Sequence, residues 1–268
     1  MTVLLISLLF LTPSSGMKQG GAPPMLLDQE GYSASQAEGL PSGLSAALDN
    51  AYNLPGGSFG VGVIDLNTGE RMTRNSSESF MMDTPDIVAA AYSVSRHLSG
   101  EFRLDSIVRR DTQLWMMLRN GQQGSREQLV AAVYHCDGFE PLARWLENNH
   151  SGTVFNNVAR DWEGAPEYDP NYTTADDCLD FMEIVYSALD DRAVRRITTN
   201  PPLSDDLNNL IQDDNIVYGW TSGRGDTRCI NLIVFKPDGS RYGVCVLGND
   251  LCCPAKADLA FRHLWLSL

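Results

Sequence analysis

Two kinds of side chain in this sequence can do chemistry in the right company: a hydroxyl at a helix start and a thiol beside a histidine. Thr84 stands at the head of an apolar helix within Glu78–Ser95, ESFMMDTPDIVAAAYSVS. It is a natural cap for that helix, and Pro85 suits the first turn. Its β-branched hydroxyl is a weak nucleophile unless a base sits beside it. Cys136 follows His135, which invites a thiol–imidazole pair, but sequence neighbours on a helix or turn rarely face each other. A packed or disulfide-bonded Cys136 is the expectation. The other cysteines are Cys178, Cys229, Cys245, Cys252 and Cys253. No CxxC and no Cys/His spacing points to a metal, so neither metal nor cofactor is expected. Cys229 and Cys245 flank a KPDG turn, which would bring them close and permit a disulfide.

The elements that must position these groups change character along the chain. Leu40–Asn53 reads as a first helix. SFGVGVIDLNTG is a strand ending in a turn at Asn67–Gly69, and ERMTRN is its hairpin partner. From Thr84 to about Gln212 the apolar residues recur at three and four, as in AAAYSVSRHL, REQLVAAVYHC, EPLARWLENN and DDCLDFMEIVYSALDD. The period then returns to that of strands: IVYGW, RCINLIVF and RYGVCVLGN, with a turn at Asp238–Gly239. PAKADLAFRHLWLSL closes the chain as a helix. Neither terminal piece can bury its apolar face alone, so the two must join in one antiparallel sheet. The predicted strands lie near 58–66, 70–74, 215–221, 228–236 and 240–248, with both terminal helices on one face. The class is α+β: an α/β lobe from 41–83 and 213–268, and an all-helical lobe from 84–212.

Composition narrows the partners. With 268 residues, 43% hydrophobic and 20% charged, the chain can bury a real core. A net charge of −14 argues against nucleic acid and against anionic lipid. Residues 3–11, VLLISLLFL, are too short to span a bilayer but have the length of a secretory signal core. Residues 1–16 are therefore read as a signal peptide and 17–40 as a Gly/Pro/Ser-rich linker. The mature domain of 41–268 would be exported, to the periplasm or outside the cell, with no stable membrane span after cleavage.

Over residues 44 to 268 the chain resembles the class A β-lactamases and related penicillin-binding proteins. The resemblance rests on FGVGVIDLNTGERMTRNSSESF, QLVAAVYHCDG and RYGVCVLGND, in that order and spacing. It implies a β-lactamase/transpeptidase-like fold with a site between the lobes, and the motifs S-x-x-K, S-D-N and K-T-G. A serine there attacks the carbonyl, a lysine one turn later moves its proton, and backbone donors hold the oxyanion. In this sequence the S-x-x-K place reads Thr84-Pro85-Asp86-Ile87, so the lysine is Ile87. The one literal S-x-x-K, Ser15 to Lys18, lies in the export segment. The other lysines, Lys236 and Lys256, belong to the late hairpin turn and the last helix. The S-D-N place is read as Cys136-Asp137-Gly138, with Asp137 fixing the turn through backbone. The K-T-G place is read as Trp220-Thr221-Ser222-Gly223, without its cation unless Arg224 or Arg228 supplies one. The glutamate that activates the deacylating water is matched by Glu163, with Glu167 second.

The resemblance therefore implies a hydrolase scaffold with its catalytic groups replaced. Thr84, Ile87, Cys136 and Trp220 should come together at an inter-lobe groove. The expected function is ligand or partner binding in that cleft, for a cell-wall peptide or β-lactam-like molecule, or service as a scaffold. The alternative is an acyl enzyme using Thr84, or one using Cys136 with a histidine.

Overall fold

The computed structural model describes residues 39–82, 86–122, 126–155, 171–198, 201, 203–211 and 215–268. The apolar run 3–11, nearly all of the expected linker, Thr84, Glu163 and Glu167 lie outside them.

The chain opens with α1 (Leu44–Tyr52) and the hairpin β1 (Ser58–Asp65) and β2 (Arg71–Arg74). β3 (Phe80–Met82) then leads toward α2 (Asp86–Leu98). The middle of the chain contains β4 (Ile107–Arg109), β5 (Thr112–Gln113), α3 (Leu114–Gln122), α4 (Arg126–His135) and α5 (Phe139–Asn149). β6 (Asn171–Thr173), α6 (Ala175–Tyr186), α7 (Arg192–Ile197) and α8 (Asp205–Leu210) follow. Strands β7 (Ile216–Ser222), β8 (Arg228–Phe235) and β9 (Arg241–Asn249) precede the closing helix α9 (Ala255–Trp265).

The principal sheet is antiparallel, in the order β2-β1-β9-β8-β7, so β1 and β9 join the two ends of the chain. Its hairpin turns use left-handed glycines, Gly69 at φ 77° and Gly239 at φ 96°, a conformation that costs a side-chain-bearing residue energy. Both faces of the sheet are covered, which is why its central strands read as apolar runs instead of alternating. On one face Val61, Val63, Leu232, Val234 and Val244 meet Leu48 of α1 and Phe261 of α9. On the other, Ile64, Ile233, Cys245 and Leu247 meet α2 and α6. Gly60 and Gly62 belong to this second face. A Cβ at Gly60 would stand 2.5 Å from the Phe80 ring, and one at Gly62 would stand 3.0 Å from Leu179. Their bare backbone lets β3 and α6 lie close against the sheet.

α6 starts with Thr174, whose hydroxyl accepts from the Asp177 amide at 3.2 Å, and carries Asp176 and Asp177 in its first turn. Both features suit a helix N-terminus. Two short pairs, β3 with β6 and β4 with β5, run alongside the helices of the middle segment. Strands of two or three residues leave no periodic trace in sequence.

Phe261 ties α9 to the sheet and is fully buried. Phe261→Ala is expected to lower unfolding stability by about 3–5 kcal/mol in urea titrations. A loss under 1 kcal/mol would mean that α9 is not part of the cooperative core.

Candidate functional site

β3, which leads toward α2, meets the ends of two sheet strands, β8 and β9. Met81, within β3, donates its amide to Asn249 Oδ1 at 3.1 Å, and its carbonyl accepts from Cys229 Sγ at 3.5 Å. Cys229 pairs in register with Ser222 at the end of β7, and Trp220, two residues earlier, pairs with Asn231. The end of β7 thus lies one strand away from the Met81 contact, through Cys229. Thr84 lies outside the described residues.

The side chains at this junction are apolar and covered. Ile87 is 2% exposed and Trp220 4%, and both belong to one core with Met82 and Cys229. Asp86, in the first turn of α2, is buried at the positive end of the helix dipole. Thr221 is buried and Ser222 half-buried. The cation sought near β7 does not come from Arg228. Strand alternation puts Arg228 on the face of Ile230 and Leu232, toward the terminal helices, while Cys229 takes the face toward α2. Arg224 is exposed in the β7–β8 turn.

The Cys136-Asp137-Gly138 turn packs on the second half of α2. Cys136 Sγ lies 3.6 Å from Ser93 Oγ, and the Cys136 carbonyl accepts from Tyr92 Oη at 3.0 Å. Asp137 does not fix its turn through backbone; its Oδ2 accepts from Arg96 Nη2 at 2.6 Å. Ser93 and Arg96 belong to the second half of α2. At 1.5 Å rise per residue, Ser93 is about 9 Å along the helix from Ile87. This turn, with Asp137 at φ 71° and Gly138 at φ 90°, therefore packs on the far half of α2, away from its start. Cys136 is fully buried, and burial pushes its thiol up, outweighing the opposing hydrogen bond from Ser93 and the charge of Arg96. His135 turns elsewhere: its Nε2 lies 3.5 Å from Ser106 Oγ and its ring 5.8 Å from Phe102. No Cys136–His135 pair forms.

The Cys229–Cys245 disulfide is also corrected: all six cysteines are free thiols. Cys229 stands opposite Leu247, and Cys245 opposite Asn231, so the two thiols are diagonal neighbours across β8 and β9. Cys245 lies beside Cys178 of α6. Burial first, then Cys178 and Cys229, pushes the Cys245 thiol well above its usual range. Cys252 and Cys253 are exposed.

A titratable cluster that sequence reading did not assemble lies at the first turns of α6. His150, Asp177 and Asp180 present ligand atoms that all fall within 4.8 Å of one another. Asp177 and Asp180, three apart on a helix, share a face legible in sequence. Nothing local brings His150 to them. A separate pocket of about 500 Å³ lies between α8 and α9, lined by Asp206, Leu210, Asp258 and Arg262. It belongs to the terminal-helix side and not to the α2 junction.

Comparison with solved structures places this architecture. The fold is similar to that of a β-lactamase from Xanthomonas campestris pv. campestris (TM-score 0.66, 18% identity, covering 84% of this chain and 95% of that one). It is also similar to the ancestral class A β-lactamase of Gram-negative bacteria (0.67, 19%, 83% and 98%). A β-lactamase from Chitinophaga pinensis gives 0.68 at 16% identity, covering 83% and 96%. No protein-family model and no curated protein sequence matches the chain. The fold is β-lactamase/transpeptidase-like.

The burial of the thiols is directly measurable. In reducing buffer, two of the six cysteines, Cys252 and Cys253, are expected to react quickly with a thiol reagent, and the other four only on unfolding. Rapid labelling mapped to Cys136 by peptide mass would contradict the packing described.

Proposed function

We propose that this chain carries the β-lactamase fold without its acyl-transfer chemistry, and that it acts by binding a ligand or partner or as a scaffold. The observation that carries this reading is Ile87. It stands in the first turn of α2, where the resemblance puts the proton-moving lysine, and it is 2% exposed inside an apolar core. A hydroxyl such as that of Thr84, with an isoleucine in the place of the lysine three residues on, keeps its ordinary alcohol character. Trp220 supports the same reading from β7, since it fills the strand position of the K-T-G lysine with a buried indole. Residues that act as a catalytic unit fail together: losing one member costs on the order of a million-fold in a well-studied hydrolase.

The matched structures are β-lactamases by name, and β-lactam-like molecules or cell-wall peptides are the ligand classes this cleft would take. We place the protein outside the cytoplasm on the strength of the apolar run 3–11. Among the described residues no helix is long and apolar enough to cross a membrane. A thermal-shift screen with peptidoglycan fragments separates binder from scaffold.

The direct test is hydrolysis of a chromogenic cephalosporin, for which the expected rate is that of buffer alone. Saturable turnover by the purified chain would sink the proposal. The double change Thr84→Ser with Ile87→Lys is expected not to restore turnover. It is also expected to lower stability, because an amine forced into this core must lose its charge or stay unpaired, at a cost of ~3–5 kcal/mol when unpaired. Turnover by that variant would show that the remaining site is still competent.

A further inference from the structure

We propose that His150, Asp177 and Asp180 form a binding site for a single divalent transition-metal ion, best suited to zinc, joining the end of α5 to the first turns of α6. His150 caps α5, its amide accepted by the Leu146 carbonyl and its own carbonyl accepting from the Thr153 amide at 3.0 Å. The imidazole is 6% exposed and packs between the rings of Trp145 and Phe181, each 4.7 Å away. That packing aims Nδ1 at the two carboxylates. Nδ1 stands 3.6 Å from Asp180 Oδ2 and 4.0 Å from Asp177 Oδ1, ion-pair contacts when the ring is protonated but longer than a normal hydrogen bond, and this buried nitrogen makes no hydrogen bond of normal length. An orphaned buried ring nitrogen is costly, and a metal ion is one group that satisfies it.

The carboxylates are held as metal ligands are held. Asp177 Oδ2 accepts from Thr153 Oγ1 at 2.7 Å, and Asp180 Oδ1 accepts from Arg71 Nη1 at 2.7 Å. Each acid therefore has one oxygen fixed by a partner and turns the other toward His150. Outer-shell hydrogen bonds of this kind orient ligands and fix their geometry. Two ligands bound at about 2.1 Å from one ion lie no more than about 4.2 Å apart, so the separations to Nδ1 are already within its span. All three atoms fall within 4.8 Å, and a small rotation of the half-exposed Asp180 completes the set.

Charge favours a dication. Asp176, Asp177, Asp180 and Glu183 lie along α6, and Arg71 is the cation paired with Asp180 and Glu183. One imidazole nitrogen with two carboxylate oxygens matches zinc better than magnesium or calcium, which prefer oxygen alone, and better than soft copper(I), which prefers sulfur. Asp180, 33% exposed at its side chain, gives the ion its way in. The site lies outside the α2 junction, so it stands whether or not that junction is catalytically silent.

The experiment uses the chain with Cys252→Ser and Cys253→Ser, which removes the exposed thiols as competing ligands. Zinc chloride is titrated by calorimetry, and cobalt(II) by absorbance as a coloured substitute. The expected result is one equivalent per chain, a raised melting temperature with zinc, and cobalt d–d bands without a thiolate charge-transfer band. Asp180→Asn, at a half-exposed position, and His150→Gln should each weaken binding at least tenfold while circular dichroism stays native. Absence of stoichiometric binding would overturn the proposal. So would a thiolate band, or an affinity unchanged in a folded Asp180→Asn protein.

Discussion

The structure depends on a helix that has no polar side to show. Residues Asp86 to Val94 of α2 are buried without a break, so this helix has to be surrounded. α6 and the sheet enclose it on one flank, and α3 and α4 on the other. The glycines of β1 that admit α6 serve the same enclosure. The constraint reaches function because the start of this helix is where the matched fold would keep its nucleophile and its lysine. With Ile87 and Trp220 in the core, a charged group at either place would have to be paid for in desolvation.

Fold similarity here is a statement about architecture. At 16–19% identity the matched β-lactamases speak for architecture, and architecture is shared across 83–84% of the chain. Function resides in particular side chains set on that architecture. At the α2 junction Ile87 and Trp220 are apolar, Thr221 and Ser222 are hydroxylic, and Asp86 and Asn249 supply a carboxyl and an amide. The polar groups of the helical side have been drawn elsewhere. Arg96 binds Asp137 and Glu101 at 2.6 Å each, tying the far half of α2 to its neighbours.

The sheet was legible because its signals are local. Asn67–Gly69 and Asp238–Gly239 mark turns, and the strands between them are β-branched and apolar on both faces. All five strands fall within a residue or two of the expected ranges, and both terminal helices share one face. The strand that carries Trp220 was legible because a strand next to a glycine-bearing turn has few alternative placements. The contact of Cys136-Asp137-Gly138 with the second half of α2 was not legible, for the opposite reason. Helical spacing says which face of α4 is apolar, but not which turn of α2 it meets, and a lone aspartate between two substituted residues carries little register information. The Cys229–Cys245 pairing failed on a register of two residues, which moves two cysteines from opposite to diagonal. Cys178 with Cys245, and His150 with the α6 carboxylates, join segments distant in sequence, and no local pattern announces such meetings.

The central claim is that the buried, lysine-free start of α2 leaves Thr84 unable to form an acyl-enzyme. Intact-protein mass spectrometry after long incubation with excess penicillin tests this most directly, because it reads the covalent step without requiring turnover. The account predicts an unshifted mass across the whole incubation. A stoichiometric increase equal to one penicillin, with the modified peptide mapped to Thr84, would contradict it.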